Sequence, residues 1–352
     1  MLMGGYYRLP DNFMGAEYMI QIQQYFPLSR VRGHRAEQEE AVARAESSSL
    51  DVLILDRELA ARLAFVDLWA WDRTIDSIEH SLPLVRAAVD VARARYRAGT
   101  AGQGDIYRAE AELAGLRATW QTAKENRTAI VAALLASMGV APENLDAVHL
   151  QLAAPPEIPT VPPLAQLFDV ARKRRPELRR AQAGVEEAVA AGEAARSEYV
   201  PEAQVQLGYM PTTMPGGVDS YQALVGLSVP LVGLAGHQGA VAEAEARERA
   251  GRLDAASQWL EIQREIAVAR AALSAAIVSR EALEKDVLPR AQAAAEAVFA
   301  SYSSGGETVS SLIDAQRALI TVRLQLEQAR ADVFRKHALL LRAVGGKFAT
   351  AD

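Results

Sequence analysis

The sequence is defined first by what it lacks. It has no cysteine, so it has no disulfide, thiolate metal site or cysteine nucleophile. No run of about 18 apolar residues predicts a transmembrane helix, although a membrane β-barrel would give a much weaker signal. Lys and Arg number 38 against 44 Asp and Glu, a net charge of −6 without a basic stripe, which argues against a nucleic-acid partner. No nucleotide-binding loop, nucleophile elbow or zinc-protease motif occurs, so we expect no catalytic residue, cofactor or resident metal.

Alanine dominates what is present. It makes up about a fifth of the chain, which is 50% hydrophobic but only 6% aromatic. This composition is too apolar for a disordered chain. Alanine is the strongest helix former, and its small side chain lets helices approach closely. The composition therefore predicts long, closely packed helices with a thin core.

An internal repeat organises the sequence. Leu82-Pro83 aligns with Leu288-Pro289 at an offset of 206 residues, and the same offset aligns Tyr96 with Tyr302 and Gly99 with Gly305. Upstream, Gly33-His34 aligns with Gly236-His237 at an offset of 203. Composition alone does not produce two halves with the same order of features, so we interpret the chain as a duplicated unit.

Each half predicts the same series of elements. Alternation of apolar and polar residues indicates strands, long stretches without Gly-rich breaks indicate helices, and Gly-rich segments indicate turns. The first repeat, 1–150, is predicted to contain a strand at 17–28, a long helix at 34–97, a tip at 98–104 and a return helix at 105–138. A Pro-rich link at 151–165 leads to the second repeat, 166–346, followed by a tail at 347–352. That repeat is predicted to contain a helix at 177–198, strands at 202–210 and 219–230, a long helix at 237–303 and a return helix at 309–344.

The helices carry further signals. The return helices show heptad spacing, which is typical of coiled coils, and the short Gly turns predict antiparallel helical hairpins. At about 1.5 Å per residue, each long helix would span about 100 Å. Pro83 and Pro289 each remove a backbone hydrogen bond, so we expect a kink or interruption there.

The two halves differ at their beginnings. The second half has a helix and two strands before its long helix, whereas the first has only residues 1–33 in that place. Residues 1–7 resemble the end of a first strand, and no signal peptide precedes them. We therefore expect the sequence to be N-terminally incomplete, lacking on the order of 60 to 80 residues.

Three short motifs, in this order and spacing, resemble the TolC-like outer-membrane efflux factor family. Tyr96-Arg97-Ala98-Gly99 followed by Asp105-Ile106 resembles the first helix-tip motif of that family, and Tyr302-Ser303-Ser304-Gly305 followed by Leu312-Ile313-Asp314 resembles the second. Arg175-Pro176-Glu177-Leu178 resembles the opening of its second half. The resemblance covers essentially the whole chain.

The resemblance implies a mainly α fold with a small β part. Long antiparallel coiled-coil helices would form an α-barrel, and two β-hairpin inserts would form a third of a trimeric 12-stranded outer-membrane β-barrel. A homotrimer in outer-membrane lipid would carry substrates through a periplasmic tunnel, as part of a tripartite efflux or type I secretion system. Its partners would be a periplasmic adaptor (membrane fusion protein) and an inner-membrane pump.

Lipid on one side and water on the other require alternation in a barrel strand. The alternating apolar residues are therefore expected to face lipid: Tyr18, Ile20, Ile22, Phe26, Tyr221, Ala223, Val225, Leu227 and Val229. A soluble hairpin packed on helices would produce the same alternation.

The resemblance also implies sites at the helix tips. Asp314 matches an acidic position that narrows the tunnel, and the second acidic position of the motif is Ser311 here. Three copies of Asp314 would form a cation-attracting ring at this aperture, although an Asp near a helix N-terminus is also favoured by the helix dipole alone. The expected adaptor-docking residues are Arg97, Ala98, Gly99, Thr100, Asp105, Ser303, Ser304, Gly305 and Gly306. Simple turn chemistry also explains the glycines, and Asp105 equally fits an N-cap.

The histidines do not predict a metal site. His34 and His237 occupy equivalent positions where strand gives way to helix, but each has only carboxylates such as Glu37 at helical spacing. We therefore assign them to the junction. The alternative function for the whole chain is a periplasmic coiled-coil structural or adaptor protein without a pore.

Overall fold

The computed structural model describes residues 2–5, 19–141, 155, 158, 161–212, 216–229 and 234–347. The chain forms two compact units, Met1–Leu50 with Pro176–Trp259, and Asp51–Arg175 with Leu260–Asp352. Each unit takes residues from both halves of the sequence. The sequence repeats are therefore not separate compact units.

The first unit contains a four-stranded antiparallel sheet. Its strands are β1 (Leu2–Gly5), β2 (Met19–Pro27), β3 (Glu202–Met210) and β4 (Ser220–Ser228), in the order β1-β2-β3-β4. Strand β3 has the range predicted from alternation, β2 ends one residue before its predicted end, and β4 lies within its predicted range. The central pair, β2 and β3, joins the two halves of the sequence.

Seven α-helices account for most of the described residues. They are α1 (Val31–Arg97), α2 (Gln103–Ser137), α3 (Leu164–Arg174), α4 (Pro176–Ser197), α5 (Leu234–Ala282), α6 (Leu288–Ser304) and α7 (Val309–Ala343). Helix α3 was not predicted, because its first residues fall within the Pro-rich link. No helix in these described ranges is long and apolar enough to cross a membrane.

The two prolines inside the long helices behave differently. Helix α1 runs through Pro83 without interruption, whereas Pro289 follows a π-helical turn at Leu283–Val287 that separates α5 from α6. A wider π turn accommodates the missing N–H and the proline ring. The expected interruption therefore occurs only in the second half.

The core of the second unit combines alanines with larger aliphatic residues in separate layers. In one layer, Val66 and Ala70 of α1 pack with Ala331 of α7. In another, Leu68 packs with Val131 and Leu134 of α2. Because alanine has no side chain beyond Cβ, the helices approach closely. This core agrees with the low aromatic content.

Within the second unit, a buried arginine at the end of α3 binds the end of α7. Arg175 precedes a proline, so its backbone is extended and helix α3 ends there. Its side chain is 1% exposed and donates hydrogen bonds to the carbonyls of Arg342 (3.2 Å) and Ala343 (3.1 Å) and to Glu265 Oε2 (2.8 Å). The Arg342 carbonyl also accepts a hydrogen bond from the Gly345 N–H (3.1 Å), so Arg175 adds a second donor there and binds the Ala343 carbonyl, one of the last carbonyls of the helix.

Candidate functional site

The strand register separates apolar and polar side chains onto opposite faces of the sheet. Directly paired residues share a face. Ile22 pairs with Leu207, which pairs with Ala223, and Phe26 pairs with Ala203, which pairs with Leu227. The same face carries Ile20, Val205, Tyr209, Tyr221 and Val225, with Gln24 as its one polar member in β2–β4.

This apolar face is open to its surroundings. Tyr221 and Val225 are both 80% exposed, and Ile20, Ile22, Phe26, Ala223 and Leu227 are also exposed. Val229 is exposed directly after the end of β4. Tyr18 lies outside the described residues. Single exposed apolar residues are common on soluble proteins, but a contiguous exposed apolar face marks a surface that meets lipid or protein.

The opposite face of the sheet is polar and almost without charge. Gln21 pairs with Gly208 and that residue with Gln222, while Gln23 pairs with Gln206. Leu224 is its apolar exception in β4. The β3–β4 connection is held by Asp219, which accepts hydrogen bonds from Tyr209 Oη (2.7 Å) and from the Thr212 N–H (3.0 Å). These bonds lower the pKa of Asp219.

The first helix tip connects α1 to α2. Arg97 is the last residue of α1, and Ala98, Gly99 and Thr100 follow as exposed turn residues, with Gly99 in the left-handed region at φ +75°. Helix α2 begins after the N-cap Gly102, and the Asp105 N–H donates to the Gly102 carbonyl. The N-cap interpretation of Asp105 was therefore wrong, because Asp105 is already the third residue of the helix.

The second tip connects α6 to α7. Ser303 and Ser304 end α6, and Gly305 caps it at φ +93°, a conformation that favours glycine. Thr308 is the N-cap of α7, and its hydroxyl accepts a hydrogen bond from the Ser311 N–H (3.2 Å). The Ser311 hydroxyl lies 3.0 Å from the same oxygen, so this side chain takes part in capping.

Two arginines of the first hairpin bind the second tip. Arg95 donates to the carbonyls of Tyr302 (3.0 Å) and Glu307 (3.3 Å), and its guanidinium lies 4.6 Å from the centre of the Tyr302 ring. Burial raises the pKa of Tyr302. Arg108 donates to Ser310 Oγ (2.9 Å). Sequence reasoning missed both contacts, because they join residues more than 200 positions apart.

A hydrophobic cluster underlies these contacts. Ala88, Val89 and Ala92 of α1, with Ala109 of α2, pack against the second tip. The residues of the second tip in this cluster are Tyr302, Val309, Leu312 and Ile313. Deeper in the hairpins, Arg317 donates to Glu112 (2.7 Å).

Asp314 lies apart from this network. Its side chain is exposed and takes part in no hydrogen bond or ion pair with the described residues. It lies one turn beyond Ser311 on α7. The pKa of Arg317 is raised mainly by its hydrogen bond to Glu112 and to a smaller degree by the charge of Asp314, three residues before it on α7.

The histidines form no metal centre among the residues described. His34 Nδ1 lies 3.1 Å from Glu37 Oε2, and the His237 ring lies 4.2 Å from the ring of Tyr199. Within the described ranges, no group of three or more His, Asp or Glu residues could hold a metal ion. The two histidines therefore contact local neighbours at the beginning of their helices.

Solved structures share this fold. The structure of the outer-membrane channel OprN is 18% identical, covers 99% of this chain and 80% of its own, and has a TM-score of 0.83. The outer membrane protein VceC of Vibrio cholerae is 16% identical, covers 99% of this chain and 86% of its own, and has a TM-score of 0.81. The fold is that of these outer-membrane proteins.

Sequence comparison identifies the family. Protein CyaE of Bordetella pertussis is 31% identical over 272 residues, which is 75% of this chain and 56% of that protein. The chain thus spans just over half the length of this curated relative. The family model for outer membrane efflux proteins matches residues 167–346, more than half of the chain. The chain belongs to the outer membrane efflux protein family, and its location is the outer membrane.

Proposed function

We propose that this chain is one protomer of a homotrimeric channel that passes substrates from an inner-membrane pump, through a periplasmic helical tunnel, to the exterior. Each protomer contributes four strands to a 12-stranded barrel in outer-membrane lipid. The observation that carries this proposal is the exposed apolar face of the sheet, opposite a face on which glutamine, glycine and serine outnumber apolar residues such as Tyr25, Met210 and Leu224.

A membrane barrel accounts for both faces. Lipid would cover Tyr221, Val225 and their neighbours, and water in the lumen would solvate Gln206 and Gln222. A soluble coiled-coil protein would leave this apolar face in water. Strands β1 and β4 are the two edges of the sheet, and pairing between protomers would satisfy their free backbone groups.

The second tip supplies the tunnel aperture in this proposal. Three copies of Asp314 around the axis would form a carboxylate ring that attracts cations. Ser311 would line the same aperture and, as a serine, adds no charge to it. Its hydroxyl and N–H are engaged with Thr308. The ring would therefore carry one carboxylate from each protomer.

The two tips also supply the docking surface for a periplasmic adaptor. Arg97, Ala98, Gly99 and Thr100 are exposed at the first tip, as are Ser303, Ser304, Gly305 and Gly306 at the second. Asp105 is half-buried in the first turn of α2, beside this surface. Exposed turn backbone next to an arginine offers hydrogen bonds and charge to a partner.

Planar-bilayer recordings of the purified full-length protein test this proposal. We expect trimers that form pores, and we expect Asp314→Asn to change the conductance or weaken block by divalent cations. Asp286→Asn, which removes the same charge from the π turn, serves as the control. Absence of pores would contradict the channel, and identical cation block in wild type and Asp314→Asn would contradict the aperture.

A further inference from the structure

A cavity of about 870 Å³, here called the link cavity, lies in the second unit between its helices and the Pro-rich link. Helices α1, α5 and α7 and the π turn contribute to its walls, and the link adds Pro155, Ile158 and Val161. Small-molecule sites in proteins usually occupy about 300–1,000 Å³. The link cavity is therefore large enough for a small organic ligand.

The lining of the link cavity is basic. The residues that the structure describes there include four arginines, Arg73, Arg270, Arg280 and Arg330, and one carboxylate, Glu284. They give the described lining a net charge of +3, although the whole chain has a net charge of −6. A concave surface lined by one sign of charge attracts the opposite charge. The link cavity therefore favours an anionic ligand.

The same cavity also has an apolar part. The rings of Trp69 and Phe334 lie edge to face with their centres 5.5 Å apart, and Ile277 and Val333 add aliphatic surface. Apolar walls with a few polar groups are typical of sites that bind organic molecules. This combination favours an anion that carries an apolar body over a small inorganic ion.

Two of the four arginines are already neutralised by carboxylates. Arg330 pairs with Glu284 (2.5 Å) and with Glu327 (2.9 Å). Arg73 pairs with Asp76 (3.1 Å) and lies 3.6 Å from Glu327. The charge of these two arginines is therefore used within the chain, and the ion pairs hold their side chains in place.

The other two arginines have few acceptors. Arg270 donates to the Pro162 carbonyl (3.2 Å) and forms no ion pair with the described residues. Arg280 lies 3.6 Å from the carboxylate of Glu281, which is longer than a hydrogen bond. Its Nε is buried and has no hydrogen-bond partner in the described part of the chain. A buried donor without an acceptor is unusual, and an anion in the cavity would supply one.

We propose that the link cavity binds a small organic anion with an apolar body, whose acidic group accepts a hydrogen bond from Arg280. The apolar body would pack against Trp69, Ile277 and Phe334. Arg270 would add positive charge without a carboxylate partner of its own. This site goes beyond the proposed channel, and binding to it does not depend on pore formation.

Isothermal titration calorimetry of the full-length protein in a nonionic detergent tests this site. The probe is naphthalene-2-carboxylate, and the matched neutral probe is naphthalene-2-carboxamide, which has the same rings without the charge. Titration of micelles without protein gives the background. We expect one saturable site in each protomer, with the carboxylate bound at least about tenfold more tightly than the carboxamide, because hydrogen bonds to an ionised acceptor are stronger.

Three variants locate the bound probe. Arg280→Gln should weaken binding of the carboxylate at least about tenfold and leave binding of the carboxamide unchanged. Arg264→Gln is the control, because this arginine is exposed on the same helix and lies outside the described lining. Ser274→Phe keeps every arginine but fills part of the cavity, so it should prevent binding of both probes.

Urea unfolding of each variant shows whether it is folded, and Ser274→Phe decides the matter if Arg280→Gln is not. Heat no greater than that of protein-free micelles would refute the site, as would equal affinities for the two probes. Equal carboxylate affinities of Arg280→Gln and Arg264→Gln, or unchanged binding in Ser274→Phe, would also refute it. None of these results bears on the channel, which the bilayer recordings test separately.

Discussion

Replacing Arg175 should destabilise the second unit strongly. Its guanidinium is buried and binds two carbonyls at the end of α7 as well as Glu265. Arg175→Met retains much of the apolar stem but removes the guanidinium that donates to the Ala343 carbonyl, whereas the Arg342 carbonyl keeps its hydrogen bond from the Gly345 N–H. The change should also leave the Glu265 carboxylate without its partner.

The size of the effect follows from these contacts. Removing one member of a buried ion pair costs about 3–5 kcal/mol. Glu265 is 37% exposed, so water compensates part of its loss. The Ala343 carbonyl, left without its donor, adds about 1–3 kcal/mol. Together these considerations give an expected loss of about 3 kcal/mol in the free energy of unfolding.

Urea unfolding followed by tryptophan fluorescence measures this loss. The control is Arg264→Ala, because Arg264 lies one residue from Glu265, is exposed, and pairs with Glu261 on its own helix. We expect no measurable shift for that variant. If Arg175→Met unfolds at the same urea concentration as wild type or Arg264→Ala, the buried arginine does not hold the end of α7.

Three further predictions concern other parts of the chain. Gly345→Ala should lower the free energy of unfolding by at least about 1 kcal/mol more than Gly139→Ala in urea titrations. Both residues have positive φ, but only at Gly345 would the new Cβ lie 3.0 Å from the Arg174 carbonyl carbon. Equal losses would contradict the steric argument. Burial lowers the pKa of His337, so as the pH drops below about 6.5 the unfolded chain binds the proton before the folded chain does, and the free energy of unfolding should fall. His337→Phe should flatten this pH dependence of the unfolding midpoint. An unchanged slope would contradict the role of His337. Val225→Arg should lower the stability of the trimer in lipid vesicles by about 2–4 kcal/mol if the side chain lies at the bilayer midplane. Gln222→Arg, on the opposite face of the sheet, should be tolerated. Equal effects of the two variants on trimer stability would contradict a lipid-facing side.

Local chemistry made much of the fold predictable. The Gly turns at 99 and 305 follow from the preference of helix ends for glycine, and both residues have positive φ in the structure. Alternation predicts β3 with the range that the structure has, because successive side chains of a strand point to opposite faces of the sheet and these two faces differ in polarity. The end of α1 at Arg97 also follows from the turn that succeeds it.

Features that depend on tertiary contacts could not be predicted. The sequence Arg172-Lys173-Arg174-Arg175 gave no sign that its last residue is buried, because that burial depends on the end of α7. Helix α3 was missed because prolines dominate the segment before it. Asp105, an expected docking residue, equally fitted an N-cap by residue type, but helix α2 begins at Gln103, directly after the N-cap Gly102.

The almost uncharged face of the sheet has a consequence for transport. On the polar face of strands β2–β4, Glu202 at the beginning of β3 is the one ionisable carboxylate, and no lysine, arginine or histidine accompanies it. A lumen lined by such glutamines would admit anions and cations alike and discriminate by width. Any preference for cargo of one charge would then be imposed before the molecule reaches the barrel.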